Sequence, residues 1–527
     1  MGENMTTLET QTSAAGNTLF VRNGQAAAMA SVPVLSFGMF AHSLQTALRD
    51  GARLSALFAL AGRPETKDEA PCRLVAVLAL DAAGLVQILA ADVENAYPSL
   101  TPRIPQAHLF EREIHERCGI VPEGHPWLKP VRFSRLAGPD VGHADFYRID
   151  GDEVHEVAVG PIHAGIIECG HFRFQCLGEL VMHLEISLGY HHRGLEAHLV
   201  GGPDKRSLPL LETLSGDAGI AHAWAWCSVI EALSGREASP RGQLLRSLAL
   251  ELERLANHTG DMGALSGDIG FLPTHAYCGR LRGDWLNMTA MLCGNRFGRS
   301  FLRLGGVTFD PDRALSDQLK KRLHATARDV RGALRALWDS PSVMARFTGI
   351  GKISAEDAAA LGLVGPAARA CGLERDARSS HPLDGLPAPP ELVSAPWGDV
   401  LARARVRERE IQTSIAYCHR LLEDFIGTDR EDGADDHPQA LSAPGQMADP
   451  APVLTPDSIA VSLVEAWRGE VCHVAVTGTN GRLRAVSLVD PSFHNWAGLA
   501  MALRNGQISD FPLCNKSFNL SYCGHDQ

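Results

Sequence analysis

Cysteine and histidine side chains are the first candidates for chemistry in this sequence, because thiolates and imidazoles bind transition metals. The chain has 12 cysteines in 527 residues, and no two of them have the C-x-x-C spacing. No cysteine cluster therefore predicts an iron–sulfur centre, and the scatter indicates reduced, mostly buried thiols. Cys523 and His525 lie close together near the end of the sequence. Two such ligands rarely make a metal site, so we predict no metal there.

Other functional classes leave no sequence signal. There is no Gly-x-Gly-x-x-Gly nucleotide loop and no Walker-type phosphate loop, and Gly349–Gly351 alone is too weak to indicate one. The formal net charge of −12 argues against nucleic-acid binding and provides no polybasic membrane anchor. No apolar stretch approaches the roughly 18 residues needed to span a bilayer, and the polar N-terminus predicts no signal peptide.

The periodicity of apolar residues predicts a small α+β region at the start of the chain. Residues 32–60 have helical spacing, and the apolar runs Arg73–Leu80 and Leu85–Val93 flank a turn at Asp81–Gly84. This pattern predicts one long helix followed by a β-hairpin. A further helix is predicted at about Gln106–Cys118.

A larger and mainly helical region is predicted after it. Strand patterns at Val154–Val159 and His171–Cys176 come first, and strands return at Glu470–Val476 and Leu483–Val489. Long helical patterns lie between them, at Gln243–Thr259, Leu281–Arg296, Pro311–Leu337 and Val400–Phe425.

Two groups of motifs resemble known families. The segment His108–Pro126 resembles the signature of the small peripheral subunit of complex I. A longer series, in family order, resembles the large subunit shared by complex I and the membrane-bound [NiFe] hydrogenases. Gly170–Arg173 resembles the formate hydrogenlyase and hydrogenase-4 branch, which fuses the two subunits. The series comprises Gly160–His163, Gly170–Arg173, Tyr190–Glu196, Glu251–His258, Arg296–Phe297, Arg303–Val307, Gly349–Gly351, Arg369–Gly372, Asp376–Arg378 and Val406–Glu410.

The resemblance implies an α+β fold, with a small N-terminal α+β domain followed by a large, mainly helical domain with peripheral β-structure. We expect a disordered extension at residues 1–28, the small domain at 29–140 and the large domain at 154–527. The two domains are predicted to fold separately. At the family level the resemblance also implies NAD binding and quinone chemistry.

A [NiFe] centre would need four thiolates from two C-x-x-C pairs. Aligned with the family, the first pair falls on Ser215 and Ala218 and the second on Ser521 and Gly524. None is a cysteine, so we expect no metal and no cofactor on this chain. The polar markers of a quinone site are also replaced, by Ile167 and Gly216, whereas the first histidine, His163, remains.

The family fold would bring the loop at 160–165, the segment Ser215–His222 and the tail Ser517–Gly524 together. The candidate cavity residues are His163, Ser215, Ala218, His222, Ser521 and Gly524. The cavity is either partly open or filled by Phe518, Tyr522 or Trp224. A second set is predicted to form a structural polar network. For His163 and for each residue of this set, a structural role is favoured over the alternative, a catalytic one. That set comprises His192, Arg193, Glu196, Arg369, Asp376 and Arg378.

The resemblance implies two possible functions. In the first, the chain is a peripheral subunit on the cytoplasmic face of the inner membrane, and it couples electron transfer to membrane-embedded ion-translocating subunits. It would dock an iron–sulfur subunit, which carries the cluster that this chain lacks. In the alternative, the chain is a non-redox structural or conformational coupling subunit of a repurposed complex. The electron donor, the acceptor and an enzymatic activity stay open.

Overall fold

The computed structural model describes residues 18–60, 72–133, 143–163, 167–383, 385–428 and 452–527. About 46% of the chain is helix and 20% is strand, with a strand-rich N-terminal region and a larger helical region. The predicted α+β fold class is therefore confirmed.

The described strands are short at the N-terminus and longest in the two main sheets. They are β1 (Leu19–Val21), β2 (Ala26–Ala28), β3 (Val34–Leu35), β4 (Arg53–Leu60), β5 (Cys72–Leu80), β6 (Leu85–Val93), β7 (Ala96–Pro98), β8 (Val121–Glu123), β9 (Val154–Val159), β10 (His171–Leu177), β11 (Leu180–Ser187), β12 (Leu302–Arg303), β13 (Gly306–Val307), β14 (Ser458–Ala466), β15 (Gly469–Thr477) and β16 (Leu483–Val489).

The longest described helices all lie between residues 240 and 428. The helices are α1 (Phe37–Arg49), α2 (His108–Cys118), α3 (Leu195–Leu199), α4 (Ser207–Glu212), α5 (Gly219–Ser234), α6 (Pro240–Asp268), α7 (Leu272–Cys293), α8 (Arg313–Trp338), α9 (Pro341–Phe347), α10 (Ala355–Ala360), α11 (Gly365–Arg369), α12 (Ala377–Ser380), α13 (Val400–Thr428), α14 (Pro491–Leu503), α15 (Phe511–Phe518) and α16 (Tyr522–Asp526).

The described strands form three larger sheets and two two-stranded sheets, β12-β13 and β7-β8. The N-terminal sheet has the order β1-β6-β5-β4, with β3 parallel to β6. A three-stranded antiparallel sheet has the order β11-β10-β9, and a four-stranded antiparallel sheet has the order β16-β15-β14-β2. Among the helices, α6 forms the centre of the bundle, and α7 and α13 pack against it. Its start is encoded locally, because Ser239 caps the helix by accepting a hydrogen bond from the Gly242 N–H, and Pro240 occupies the first turn.

The N-terminal segment ties two sheets together. Strand β1 pairs with β6 of the small region, whereas β2 pairs with β14, where Ala27 is opposite Ile459. Residues 18–28 are thus ordered, which corrects the expectation of a disordered extension there. Residues 1–17 lie outside the described part of the chain.

One of the apolar core clusters extends across both regions. Val77 of the N-terminal sheet belongs to the same buried cluster as Val461 of the four-stranded sheet. Buried Arg53 crosses the same boundary, because its guanidinium lies 2.7 Å from Asp81 and 2.6 Å from Glu470 on β15. The two regions are therefore packed as one unit. The boundaries at 140 and 154 remain predictions, and residue 140 falls outside the described residues.

The helix predicted at residues 32–60 forms only in its first part. The chain forms α1 at Phe37–Arg49, but residues 53–60 form strand β4 instead of continuing the helix. Gly51 separates the two with a φ of +99°, a conformation that glycine adopts without a steric penalty.

Within the residues described, no helix is long and apolar enough to cross a membrane.

Candidate functional site

The two segments that align with the metal-binding segments of the family, and that have lost their cysteines, do meet. Ser215 precedes α5, and Ser521 lies at the N-cap of α16. The Ser215 hydroxyl donates to the Ser521 hydroxyl at 3.0 Å. The Ser521 Oγ also accepts from the backbone N–H of Gly524 at 2.9 Å, which caps the short helix. Hydroxyls thus join these segments where thiolates would have shared a metal.

An arginine and an aspartate occupy the space beside this pair. Arg468, in the turn between β14 and β15, places Nη1 3.3 Å from Ser215 Oγ. Its guanidinium donates to both carboxylate oxygens of Asp217, at 2.5 and 2.8 Å. Burial opposes the charge of Arg468, but Asp217 outweighs it and holds the pKa of Arg468 above its ordinary value. The position next to Ser215 is therefore filled by a neutralised ion pair.

A buried pair of histidines, His222 and His473, also belongs to this group of residues. His222 on α5 contacts the Asp490 carboxylate through Nε2 at 3.0 Å and His473 Nε2 through Nδ1 at 3.0 Å. Burial raises the pKa of Asp490, but His222 and Arg468 outweigh it and keep that pKa below its usual value. Burial and the neighbouring His222 lower the pKa of His473 well below the ordinary value. His473 is therefore neutral, and Asp490 supplies the negative charge of the group.

The Gly524 position leaves no room for a ligand side chain. A Cβ built on Gly524 would lie 2.7 Å from Cγ of Asp490 and 2.8 Å from each of its carboxylate oxygens. Real Cβ atoms do not approach other atoms so closely, so the Asp490 carboxylate occupies the volume that a fourth ligand would need. Ala218, the remaining position, is 2% exposed and packs at the start of α5.

These residues do not fit a [NiFe] centre. Nickel and iron of this kind need soft thiolate donors, and the four positions provide two hydroxyls, one methyl group and a glycine. Across the described ranges, no group of three or more His, Cys, Asp or Glu side chains could hold a metal ion.

Cys523 and His525 have separate partners. The Cys523 thiol lies 3.2 Å from the Glu168 carboxylate and 3.4 Å from Ser521 Oγ. Burial and the Glu168 charge raise the pKa of Cys523 to about 11, so it stays a thiol at neutral pH. His525 Nδ1 instead contacts Asp526 at 2.9 Å. The two side chains are therefore committed to different contacts.

His163 lies beside the closed site. Its Nε2 is 2.9 Å from the carbonyl oxygen of Gly170. It lines a cavity of about 430 Å³, here called the tail cavity, together with Phe172 and Tyr522. The backbone N–H of Tyr522 donates at 3.0 Å to Glu168, which follows the loop predicted at 160–165, so the tail lies close to the end of that loop. Residues 164–166 of that loop lie outside the described residues.

The predicted polar network divides into two groups. Arg369, Asp376 and Arg378 form one buried group, in which Arg378 Nη2 lies 2.6 Å from Asp376 and Arg369 Nη1 lies 3.7 Å from Asp376. Glu410 and Glu465 complete it through Arg369, at 2.6 and 2.7 Å. The carboxylates and guanidiniums satisfy one another, which supports a structural role.

The other three residues surround the end of the chain. His192 Nδ1 lies 2.7 Å from the Asp526 carbonyl oxygen, and Arg193 donates to the Thr213 carbonyl oxygen at 2.9 Å. Glu196 accepts from the Leu488 N–H at 2.7 Å and forms an ion pair with Arg117 on α2. This second group therefore anchors the tail and the small region.

Sequence reasoning missed the residues that fill the site. None of Arg468, Asp217, His473 and Asp490 is in the predicted set. Asp217 lies within the predicted segment Ser215–His222, whereas Arg468 and His473 come from the β14–β15 hairpin and Asp490 precedes α14. Only Asp490 carries a local signal, because an aspartate before Pro491 is typical of a helix start, and it does cap α14.

Comparisons with known proteins agree with this architecture. Residues 268–527 match the family described as respiratory-chain NADH dehydrogenase, 49 Kd subunit, and residues 41–136 match the 30 Kd subunit family. The chain is 29% identical over 455 residues to formate hydrogenlyase subunit 5 of Escherichia coli K12, covering 82% of this chain and 77% of the relative. It is 27% identical over 472 residues to hydrogenase-4 component G of the same organism, covering 84% and 78%.

Two further similarities extend the pattern. The carbon monoxide-induced hydrogenase of Rhodospirillum rubrum is 29% identical over 369 residues, which cover 69% of this chain and 97% of the relative. A chain of the membrane-bound sulfane sulfur reductase, an archaeal respiratory membrane complex, shares the fold with a TM-score of 0.64 at 23% identity. The match covers 72% of this chain and 100% of that chain. The protein is therefore a fused complex I-like chain, in which regions of the 30 kDa and 49 kDa subunit families form one polypeptide.

Proposed function

We propose that this chain is a peripheral subunit of a membrane-bound complex I-like or hydrogenase-related respiratory complex that works without a nickel–iron centre. It docks an iron–sulfur subunit and couples electron transfer to a membrane ion-translocating module. The relatives, which are subunits of complex I-like and hydrogenase complexes, support the setting. The observation that supports the absence of a nickel–iron centre is the Asp490 carboxylate, which lies in the volume beside Gly524 where a fourth thiolate would lie.

The tail cavity supports a redox version of this function. It has a volume of about 430 Å³, within the range typical of small-molecule sites, and His163 and Tyr522 line it. Phe172 and Phe511 provide apolar wall, and Lys516 and Asp268 provide charge. An electron acceptor such as a quinone would bind here, next to the closed metal position, and receive electrons from a cluster in the partner subunit.

The closed metal position itself favours a second candidate, a non-redox coupling subunit. Ser215, Arg468, Asp217 and Asp490 form a packed, hydrogen-bonded group. In this version the fold transmits a conformational change between partners, and no electrons pass.

One measurement tests the proposal and separates the two versions. The tagged complex is purified, nickel and iron are quantified, and reduced samples are examined by electron paramagnetic resonance. We expect less than about 0.1 nickel per chain together with a reducible iron–sulfur signal from a partner. One chelator-resistant nickel per chain would overturn the proposal, and a partner without iron would leave the non-redox version.

The membrane association also has a direct test. We propose that partners, and not a spanning helix of this chain, hold it at the cytoplasmic face of the inner membrane. Washing membranes with alkaline carbonate is expected to release the chain into the supernatant, while the membrane-embedded subunits stay in the pellet. Immunoblotting both fractions checks this, and retention of the chain with the embedded subunits would contradict it.

A further inference from the structure

A second cavity, here called the α2–α14 cavity, lies where the two regions of the chain meet. It has a volume of about 430 Å³ and lies between α2, β11 and α14, with residues 126–131 along one side. Binding sites for small molecules have volumes of about 300–1,000 Å³ and combine apolar walls with a few convergent polar groups. The size of this cavity is therefore suitable for a small organic ligand.

The lining of the α2–α14 cavity carries an excess of positive charge. Arg112, Lys129 and Arg504 line it, and Glu185 is its one carboxylate. Glu185 is already engaged, because it accepts from Lys129 Nζ at 2.7 Å and from the Tyr147 N–H at 2.7 Å. Across the described ranges, neither Arg112 nor Arg504 has a carboxylate within 4.0 Å.

Arg112 is held in position for a ligand. Its Nε donates to the Lys129 carbonyl oxygen at 2.6 Å, and its Nη2 donates to the Pro130 carbonyl oxygen at 3.0 Å. Burial lowers the pKa of Arg112 to about 10, with Glu185 and Glu116 opposing the shift only in part. The guanidinium is therefore still charged at neutral pH, and an anion would relieve its desolvation.

Two buried polar atoms of the lining lack a partner. Ser187 is 4% exposed and Trp496 is 3% exposed, and both line the cavity. Neither Ser187 Oγ nor Trp496 Nε1 has a hydrogen-bond partner among the described residues. Buried donors of this kind are nearly always paired, so an acceptor atom of a ligand in this cavity would satisfy them. Leu184 and Ala500 supply apolar wall beside them.

We propose that the α2–α14 cavity binds an amphipathic organic anion, with a phosphate or carboxylate head on Arg112 and Arg504. The apolar body of the ligand lies against Leu184, Ala500 and the Trp496 ring. Acceptor atoms of the head satisfy the Ser187 hydroxyl and the Trp496 indole N–H. A membrane phospholipid and a soluble acyl or isoprenoid-type acid share this chemistry.

Calorimetry on the full chain tests the proposal with octyl phosphate as the probe. We expect octyl phosphate to bind at least tenfold more tightly than octyl glucoside, which lacks the charge, and than inorganic phosphate, which lacks the chain. Equal binding of either control, or no binding of octyl phosphate, would overturn it. Competition by phosphatidylglycerol vesicles would identify a lipid as the source, and its absence would identify a soluble acid; either supports the site.

Variants connect the binding to these side chains. R504Q changes an exposed residue, and we expect it to weaken octyl phosphate binding several-fold, with R112Q costing about tenfold. W496F and S187A are each expected to cost a few-fold for octyl phosphate and nothing for octyl glucoside. R322Q, at an exposed position of α8, is the matched control and is expected to bind normally. Unchanged binding in both R504Q and W496F would contradict the assignment.

Discussion

Replacing Arg369 by methionine is expected to lower the free energy of unfolding by about 3–5 kcal/mol, the cost of leaving a buried charge unpaired. Arg369 is fully buried, and its guanidinium lies 2.6 Å from Glu410 and 2.7 Å from Glu465. Methionine fills much of the same volume but removes the cation. Two buried carboxylates then lose their main partner, at the centre of the fold.

The defect of R369M should depend on pH in a defined direction. In the native protein burial raises the pKa of Glu410, but Arg369 and His258 outweigh it, and the result is far below the ordinary value. Ionised Glu410 therefore stabilises the folded protein at pH values above its pKa in the unfolded chain, about 4.3. This stabilisation is lost as the pH falls through the pKa of Glu410 in the folded protein. Without Arg369 the carboxylates take up protons more readily. The difference between R369M and the native protein should thus be larger at pH 8 than at pH 5.

Urea denaturation at pH 5 and pH 8 measures both effects. R322M is the matched control, because Arg322 is exposed on α8, and surface substitutions of this kind usually change stability by less than about 0.5 kcal/mol. A loss below about 1 kcal/mol in R369M, or a loss that grows as the pH falls, would contradict the structural role of this network.

Local sequence signals predicted the hairpin well and the neighbouring strand badly. The turn at Asp81–Gly84 separates two apolar runs, and β5 and β6 pair across it in the predicted place. Strand β4 falls within the predicted helix because Leu54 continues the helical spacing of Leu44 and Leu48, and the run Arg53–Leu60 carries no strand period. A strand buried on both faces loses its alternation, so only its pairing with β5 reveals it.

The sequence predicted which segments meet at the candidate site, but not which side chains fill the space between them. Family motifs placed Ser215 and Ser521 in segments that meet, and the two hydroxyls are 3.0 Å apart. Arg468 and Asp490 reach the same place from a β-turn and a strand–helix junction. Their positions depend on the register of β14, β15 and β16, which is set by long-range pairing and not by any local pattern.

Replacing Gly524 by alanine is expected to destabilise the protein by about 1–3 kcal/mol, the usual cost of overpacking a buried site. The new Cβ would lie 2.7 Å from Cγ of Asp490, so the carboxylate must move. Asp490 is held by His222 Nε2 at 3.0 Å and by the Ser492 N–H at 2.8 Å, which makes that movement costly. Thermal or urea unfolding of the purified variant measures the loss.

Gly216 provides a matched control in the same site. A Cβ at Gly216 meets nothing within 4 Å, so G216A should leave stability within about 0.5 kcal/mol of the native protein. The clash at Gly524 can be assigned to Asp490 by a double-mutant cycle, because G524A should cost less in a D490A background. If G524A is as neutral as G216A, Asp490 yields easily and the fourth ligand position is open. A clear cost that vanishes with Asp490 would mean that losing the thiolates was accompanied by filling of their space, so that restoring cysteines alone would not rebuild a metal site.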